Sequence, residues 1–345
     1  MLISRANDRI WRCFIPQKVK SAATRSYRQI SYLFFHSYKF KGLFTIEGLS
    51  PRFELEHLAM VVPKTLIEVT VVGNDRKGVV AEITNFIFRI GGNIEQVNQN
   101  VVRGLFGMQL EASFQKINRK KIDLEMRSLA KKLGMEIRVH YEEPNRLRNI
   151  AIFVSKEPNC LMRILEAKES GSINATIPVI IGSEGTLGPI AERSGIPFHI
   201  IDDKQEPIIA ENKILKLTEE YNIDLIILAR YMRILSPNFV WRYPNRIINI
   251  HPSLLPAFPG AYAYVQAYER GAKIVGCTAH FVTVDLDQGP IIYQESFRVK
   301  EIDTLDTIRQ KGQSLEAETL LKATRLYLEG RLEIYWGRVH IVGDN

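Results

Sequence analysis

The sequence predicts an α/β protein of two units in tandem: an N-terminal ferredoxin-like βαββαβ unit, then a Rossmann-like, mainly parallel, doubly wound one. Three observations predict this. Between Thr65 and Tyr141 four β-rich runs are interleaved with two stretches of helical period. From Asn149 onward short β-branched runs alternate with helical patterns, as in a parallel sheet covered by helices. Between the two lies Glu142–Arg148, polar and Pro-containing, which suits a linker. The expected limits are 65–142 and 149–342, after a basic leader over 1–60.

The first unit opens with the β-branched run Leu66–Val72, turned by Gly73–Gly78. Val79–Arg89 has helical spacing, with Val80, Ile83, Phe86 and Ile87 as its apolar face, and stops at Gly91-Gly92. Strands are expected over Asn93–Val102 and Leu105–Phe114 around Arg103-Gly104. A Lys-rich helix over roughly Lys121–Leu133 and a strand over Glu136–Tyr141 complete the unit. In the second unit, strands are expected at Asn149–Val154, Ile177–Ile181, Pro197–Ile201, Asp224–Leu228 and Arg246–His251. Helices are expected near Cys160–Ala167, Ile208–Tyr221 and Ala263–Arg270. After Asp287 a strand (Ile291–Val299), a long helix (Asp303–Leu328) and a hairpin (Leu332–Val342, turning at Trp336-Gly337) follow. The loop Gly182–Gly188 is spaced GxxGxxG rather than GxGxxG, which argues against a dinucleotide site.

Charge excludes one class of partner. Of 46 Lys/Arg and 38 Asp/Glu in 345 residues, the first 46 residues hold nine and one, so the remaining 37 of each sign balance. The folded part has no basic excess to hold a nucleic-acid backbone. In the leader, Leu2, Ala6, Ile10 and Phe14 recur at i+4 while Arg5, Arg9 and Arg12 take another face. That pattern suits a mitochondrial transit peptide; an over-extended start, with the true one near Met60, is the other reading. The compartment is accordingly the cytoplasm, or the mitochondrial matrix if the leader is genuine. The Tyr32–Phe35 patch is too short to span a bilayer, so no membrane association is expected. Three scattered cysteines without CxxC spacing suit a reducing compartment and no zinc cluster.

The chemistry is expected at the end of the run Arg246–His251. On a strand, residues i and i+2 share a face, so Asn249 and His251 project together while Ile250 faces away. Pro252 cannot donate to a sheet ladder and should end the strand. Two polar side chains then sit at a strand's carboxyl end, where open α/β sheets bind ligands. Attack on a carbonyl needs a donor for the developing oxyanion, a group that moves protons near neutral pH, and a carboxylate to orient it. Asn249, His251 and Asp287 have those chemistries. GxSxG is absent, which favours direct attack by water or an amine over a covalent enzyme intermediate.

The segments NIHPSLLP (Asn249–Pro256), TAHFVTVDLDQGPII (Thr278–Ile292) and ARYMRILSP (Ala229–Pro237) resemble the folate-dependent formyltransferase family. The resemblance implies that Asn249, His251 and Asp287 are the catalytic trio. It implies that Met232, Arg233, Ile234 and Leu235 border a pterin pocket, that the loop carrying Val284, Leu286 and Gly289 closes its other side, and that His280 stands beside it. It also implies 10-formyltetrahydrofolate as substrate, no tightly bound cofactor and no metal.

The βαββαβ order with the turn GNDRKGVV resembles an ACT regulatory domain, which implies a small amino-acid effector such as Gly or Met and sheets paired between subunits of a homo-oligomer. An ACT unit joined to this catalytic unit, with FVSKE (Phe153–Glu157) and QAYERG (Gln266–Gly271), is similar to the deformylase branch of the family. That branch hydrolyses the folate to tetrahydrofolate and formate, supplying one-carbon and purine metabolism. Ser155–Cys160 lacks the glycines of a phosphate-cradling loop, and Glu157 would repel a phosphate. Tyr262 stands where the ribonucleotide transformylases carry a substrate-contacting His.

Three departures bear on the acceptor and the effector: Asn159 replaces a usual His, Pro252-Ser253-Leu254 is transferase-like, and QVNQN (Gln96–Asn100) differs from the usual ACT stretch. Transfer of formyl to a small amine therefore stays open beside hydrolysis. A non-catalytic amino-acid and folate sensor is the alternative of another class, and the complete Asn/His/Asp set argues against it.

Overall fold

The computed structural model describes residues 65–141, 143, 146–201, 206–257, 260 and 262–343, and the leader expected over 1–60 lies outside them. Residues 62–345 form one compact unit. Its first part runs β1 (Thr65–Asn74), α1 (Val79–Arg89), β2 (Asn93–Val102), β3 (Leu105–Phe114), α2 (Arg119–Leu133) and β4 (Glu136–Tyr141). The strands form an antiparallel sheet in the order β2-β3-β1-β4. One face of that sheet, with Ile67, Val69, Val71, Leu110 and Ala112, packs against both helices. The buried face of α1 is Val79, Ile83, Phe86 and Ile87, while Val80, expected there, is exposed. Positions 79, 83, 86 and 87 repeat at i, i+4, i+7 and i+8, which leaves Val80 to one side of the stripe. Helix α2 begins at Arg119, earlier than its apolar spacing indicates, because the Asn118 side chain accepts from Lys121 N at 3.1 Å.

The second part runs β5 (Arg148–Val154), α3 (Asn159–Glu169), β6 (Ala175–Gly182), α4 (Gly188–Arg193), β7 (Phe198–Ile200), α5 (Pro207–Glu220), β8 (Leu225–Ala229), α6 (Pro237–Val240), β9 (Ile247–His251), α7 (Ala263–Glu269), β10 (Ile274–Phe281), β11 (Ile291–Arg298), α8 (Leu305–Leu328) and the hairpin β12 (Leu332–Tyr335)–β13 (Arg338–Ile341). Seven strands form one sheet in the order β11-β10-β9-β8-β5-β6-β7. The stretch from β9 to β7 is parallel, and β10 runs antiparallel to both its neighbours. The sheet has a core on each face. One packs Ile150, Ile152, Ile248 and Ile250 against α3 and α8, and the other packs Phe153, Ile226 and Ile247 against α5 and α6.

Strand β10 is a strand the sequence pattern does not predict. Every residue from Val275 to Phe281 is buried, so its two faces show no polar–apolar alternation. This strand positions the site, because its register sets His280 opposite Asn249 and Thr278 opposite His251. The β10–β11 pairing shifts register between Ala279 and His280, a bulge of the kind that re-aims side chains next to a site.

Candidate active site

A cavity of ≈ 460 Å³ opens where β8 and β9 end. Strand β9 stops at His251, before Pro252, as its ladder chemistry requires. Asn249 and His251 both line the cavity, one face of the strand as the two-residue period demands. The turn after β9 is pinned from β10. Thr278 Oγ1 donates to Ser253 O at 2.7 Å and accepts from Leu255 N at 3.0 Å and Gln294 Nε2 at 2.8 Å. Asp287 reaches the same cavity from the β10–β11 loop, with φ +55°, a left-handed conformation that Asp tolerates better than most residues.

The polar groups form a connected set. Asp287 Oδ2 stands 3.4 Å from His251 Nδ1 and accepts from Gly260 N at 3.1 Å, and Asp287 Oδ1 is 3.8 Å from His280 Nε2. His280 Nδ1 lies 2.9 Å from Phe281 O, so that nitrogen carries the proton. His280 is 2% exposed, and burial holds its pKa below the ordinary value, opposed by the Phe281 carbonyl and Asp287. The ring is therefore neutral, and its Nε2 accepts from Asn249 Nδ2 at 3.2 Å. That bond fixes which way the Asn249 amide points and leaves its second N–H for a ligand.

Two walls flank this set. Met232, Arg233, Ile234 and Leu235, just after β8, form one, with Met232 63% and Ile234 75% exposed at the rim. Val282, Thr283, Val284 and Leu286 form the other. An apolar slot with a few convergent polar groups at its base suits a flat heteroaromatic ligand. Gly289, expected in that wall, is not among the lining residues. It packs against the β10 backbone, where an added Cβ would lie 1.7 Å from Phe281 O. The loop Gly182–Gly188 is likewise no part of the cavity wall.

The cavity is also lined by residues that spacing alone does not mark. Glu157, Arg230, Tyr262, Tyr264, Arg309 and Gln313 line it. Gln313 Nε2 donates to Glu157 Oε2 at 2.9 Å, and Asn159 Nδ2 donates to Gln313 Oε1 at 3.2 Å. Behind them Glu316, buried on α8, accepts from Tyr264 OH at 2.6 Å and stands 3.4 Å from Arg230 Nε. Burial pushes the Glu316 carboxyl up, against the pull of Arg230 and Tyr264. The signal for this cluster was an acid in a buried helical stripe: Gly312, Glu316 and Leu320 are all buried at i+4 spacing. Among the described residues no group of three or more His, Cys, Asp or Glu is placed to hold a metal ion.

A family model described as formyl transferase matches residues 148–324, the whole of this site included. The chain belongs to the formyltransferase family. Ahead of that match, an ACT domain model covers residues 65–140, so the formyltransferase part follows an ACT domain in this chain. A formyltetrahydrofolate deformylase of Synechocystis is 40% identical over 274 residues, which is 76% of this chain and 94% of the relative. One of Bacillus subtilis is 40% identical over 267 residues, 76% of this chain and 88% of the relative. A crystal structure of a formyltetrahydrofolate deformylase from Pseudomonas syringae superposes with a TM-score of 0.56 at 28% identity, covering 84% of this chain and 98% of that one. Glycinamide ribonucleotide transformylase 1 from Symbiobacterium toebii gives 0.55 at 35% identity but covers only 59% of this chain. The formyltransferase part is thus common to both kinds of enzyme, and the fuller coverage lies with the deformylases.

Proposed function

We propose that this chain hydrolyses 10-formyltetrahydrofolate to tetrahydrofolate and formate. The observation that carries the reading is the convergence of Asn249, His251 and Asp287 at the base of one apolar slot. The pterin lies between Met232–Leu235 and Val282–Leu286, which brings the formyl group onto the polar base. Asp287 and His251 position a water and take its proton as its oxygen bonds to the formyl carbon. The free N–H of Asn249 and the imidazolium so formed stabilise the tetrahedral oxyanion. The carbon–nitrogen bond then breaks, the folate nitrogen takes a proton, and formate leaves. His280 acts through Asn249 by fixing its amide, and no resident cofactor or metal enters the scheme.

Water is the acceptor because of a carboxylate in the cavity lining. Glu157, held by Gln313, faces any acceptor entering the cavity and repels a phosphorylated amine. The ACT unit takes a small amino-acid effector. Strand β2, an edge strand exposed along almost its whole length, offers the pairing surface of a homo-oligomer. No helix among the described residues is long and apolar enough to cross a membrane. The buried free thiols of Cys160 and Cys277 support a reducing compartment such as the cytoplasm. The deciding experiment incubates pure protein with 10-formyltetrahydrofolate alone and measures formate. Stoichiometric formate and tetrahydrofolate are expected. Turnover only after a small amine is added would assign formyl transfer instead.

A further inference from the structure

The segment 236–246 joins two pieces of the cavity. It starts where the Met232–Leu235 wall ends and stops where β9, bearing Asn249 and His251, begins. Its start is fixed within the catalytic part, with Ser236 N bonded to Glu211 Oε1 at 2.6 Å and Phe239 packed on Phe153 at 6.2 Å between ring centres. Its second half lies against the first part of the molecule, on the sheet face not covered by α1 and α2. The Trp241 ring occupies the space above Gly107 of β3, where an added Cβ would come within 2.2 Å of it. Arg242 Nε donates to both carboxylate oxygens of Glu136 on β4, at 3.0 and 3.1 Å, and its Nη2 reaches the same group. Through Nη1 the same guanidinium holds the carbonyl and side chain of Asn238 in α6. Arg246 Nη2 donates to Arg242 O at 3.2 Å and lies 3.7 Å from Glu68 of β1, while its guanidinium stands 5.6 Å from the centre of the Tyr243 ring. Tyr243 stacks on Phe239, and Phe153 meets Tyr231 of the cavity wall at 5.3 Å.

We propose that Arg242, seated with Trp241 on the ACT sheet, is a positioning residue for the folate wall. The sheet of residues 65–141 holds the segment 236–246, and through it sets the place of Met232–Leu235. The ACT part thus belongs to the folate site mechanically, and any ligand that shifts its sheet shifts that wall. A bidentate guanidinium–carboxylate pair whose guanidinium is largely buried fixes orientation as well as distance, and a close-packed segment transmits displacement. The proposal rests on the reading above only for where the folate lies.

The test measures tetrahydrofolate affinity by calorimetric titration of the full chain, beside KM and kcat for formate release. Arg242→Ala is expected to weaken tetrahydrofolate binding about threefold to thirtyfold and to raise KM in step, with a smaller change in kcat. Glu136→Gln should act in the same direction, and the double variant should be no weaker than the worse single one. Arg242→Lys, which keeps the charge but loses the fork, should restore only part of the affinity. Glu219→Gln removes another ion pair across the same junction, Arg138 with Glu219 on α5, and should leave affinity unchanged. Wild-type affinity in a folded Arg242→Ala variant would overturn the proposal. So would an equal loss in Glu219→Gln, which would mean general loosening of the junction. If Arg242→Ala fails to fold, Glu136→Gln and Arg242→Lys carry the same comparison. Absence of formate from the folate alone would defeat the hydrolase reading and leave the binding result standing.

Discussion

At the scale of residues, the site is a connected set of five groups. Phe281 O sets the protonated nitrogen of His280, His280 Nε2 sets the amide of Asn249, and Asp287 stands against both imidazoles. Replacing Asn249 by Ala removes the proposed oxyanion donor and leaves His280 Nε2 without its donor. The expected cost in kcat is about 100- to 1000-fold, the usual effect of deleting one such donor, with KM nearly unchanged. Steady-state formate release checks this, and a variant turning over at the wild-type rate would remove Asn249 from the chemistry. Asn249 and His251 were legible because a strand's period of two is local information, and Asp287 through the motif it belongs to. The tie between Asn249 and His280 was not legible. It depends on the β9–β10 register, a pairing between segments 31 residues apart. Glu157 was legible as a repelling charge, but its anchor Gln313 comes from a helix 156 residues further on.

At the scale of elements, the loop between β10 and β11 carries Asp287, and Gly289 sets its shape. Phe281 N bonds Pro290 O at 2.9 Å, so the loop folds back tightly onto the end of β10. A Cβ at Gly289 would meet the Phe281 carbonyl at 1.7 Å, a contact with backbone that no rotamer change relieves. Gly289→Ala is therefore expected to destabilise the protein by about 1–3 kcal/mol, as overpacking does. It should also lower kcat, because Asp287 sits two residues away. Calorimetry and formate release check both, and an unchanged melting temperature would show that the loop yields without strain. The motif containing Gly289 marks the cavity wall, yet the residue serves the wall from behind. Elements with strong periods, such as α1 and β2–β3, lie where the pattern places them. Strand β10 and the short helices α4 and α6 escape it, for they are either buried on both faces or too brief to show a period.

At the scale of the whole molecule, the two parts meet across charged side chains that look like ordinary surface residues in the sequence. Arg242 and Arg246 give no local sign of burial; it arises only when the ACT sheet, with Glu136 and Glu68, and the segment 236–246 come together. The two-part order was legible from composition and period, whereas this junction was not. His140 of β4 lies in it, lining a cavity with Arg138, Arg146, Arg242, Arg246, Glu136, Glu143, Glu219 and Asp224. Burial, reinforced by the charge of Arg246 and opposed by Asp224, takes its pKa from 6.5 down to about 4. The unfolded chain therefore binds a proton at His140 before the folded one does as pH falls. Stability from the neutral ring is complete above about pH 6.5 and is lost progressively toward pH 4. Replacing His140 by Gln keeps a polar side chain that does not titrate. The variant should lose less stability than the wild type between those two pH values, by on the order of 1–2 kcal/mol. Denaturant melts of both proteins across that range decide it. Parallel acid losses would show that the carboxylates of the junction, and not His140, govern how firmly its two sides hold together.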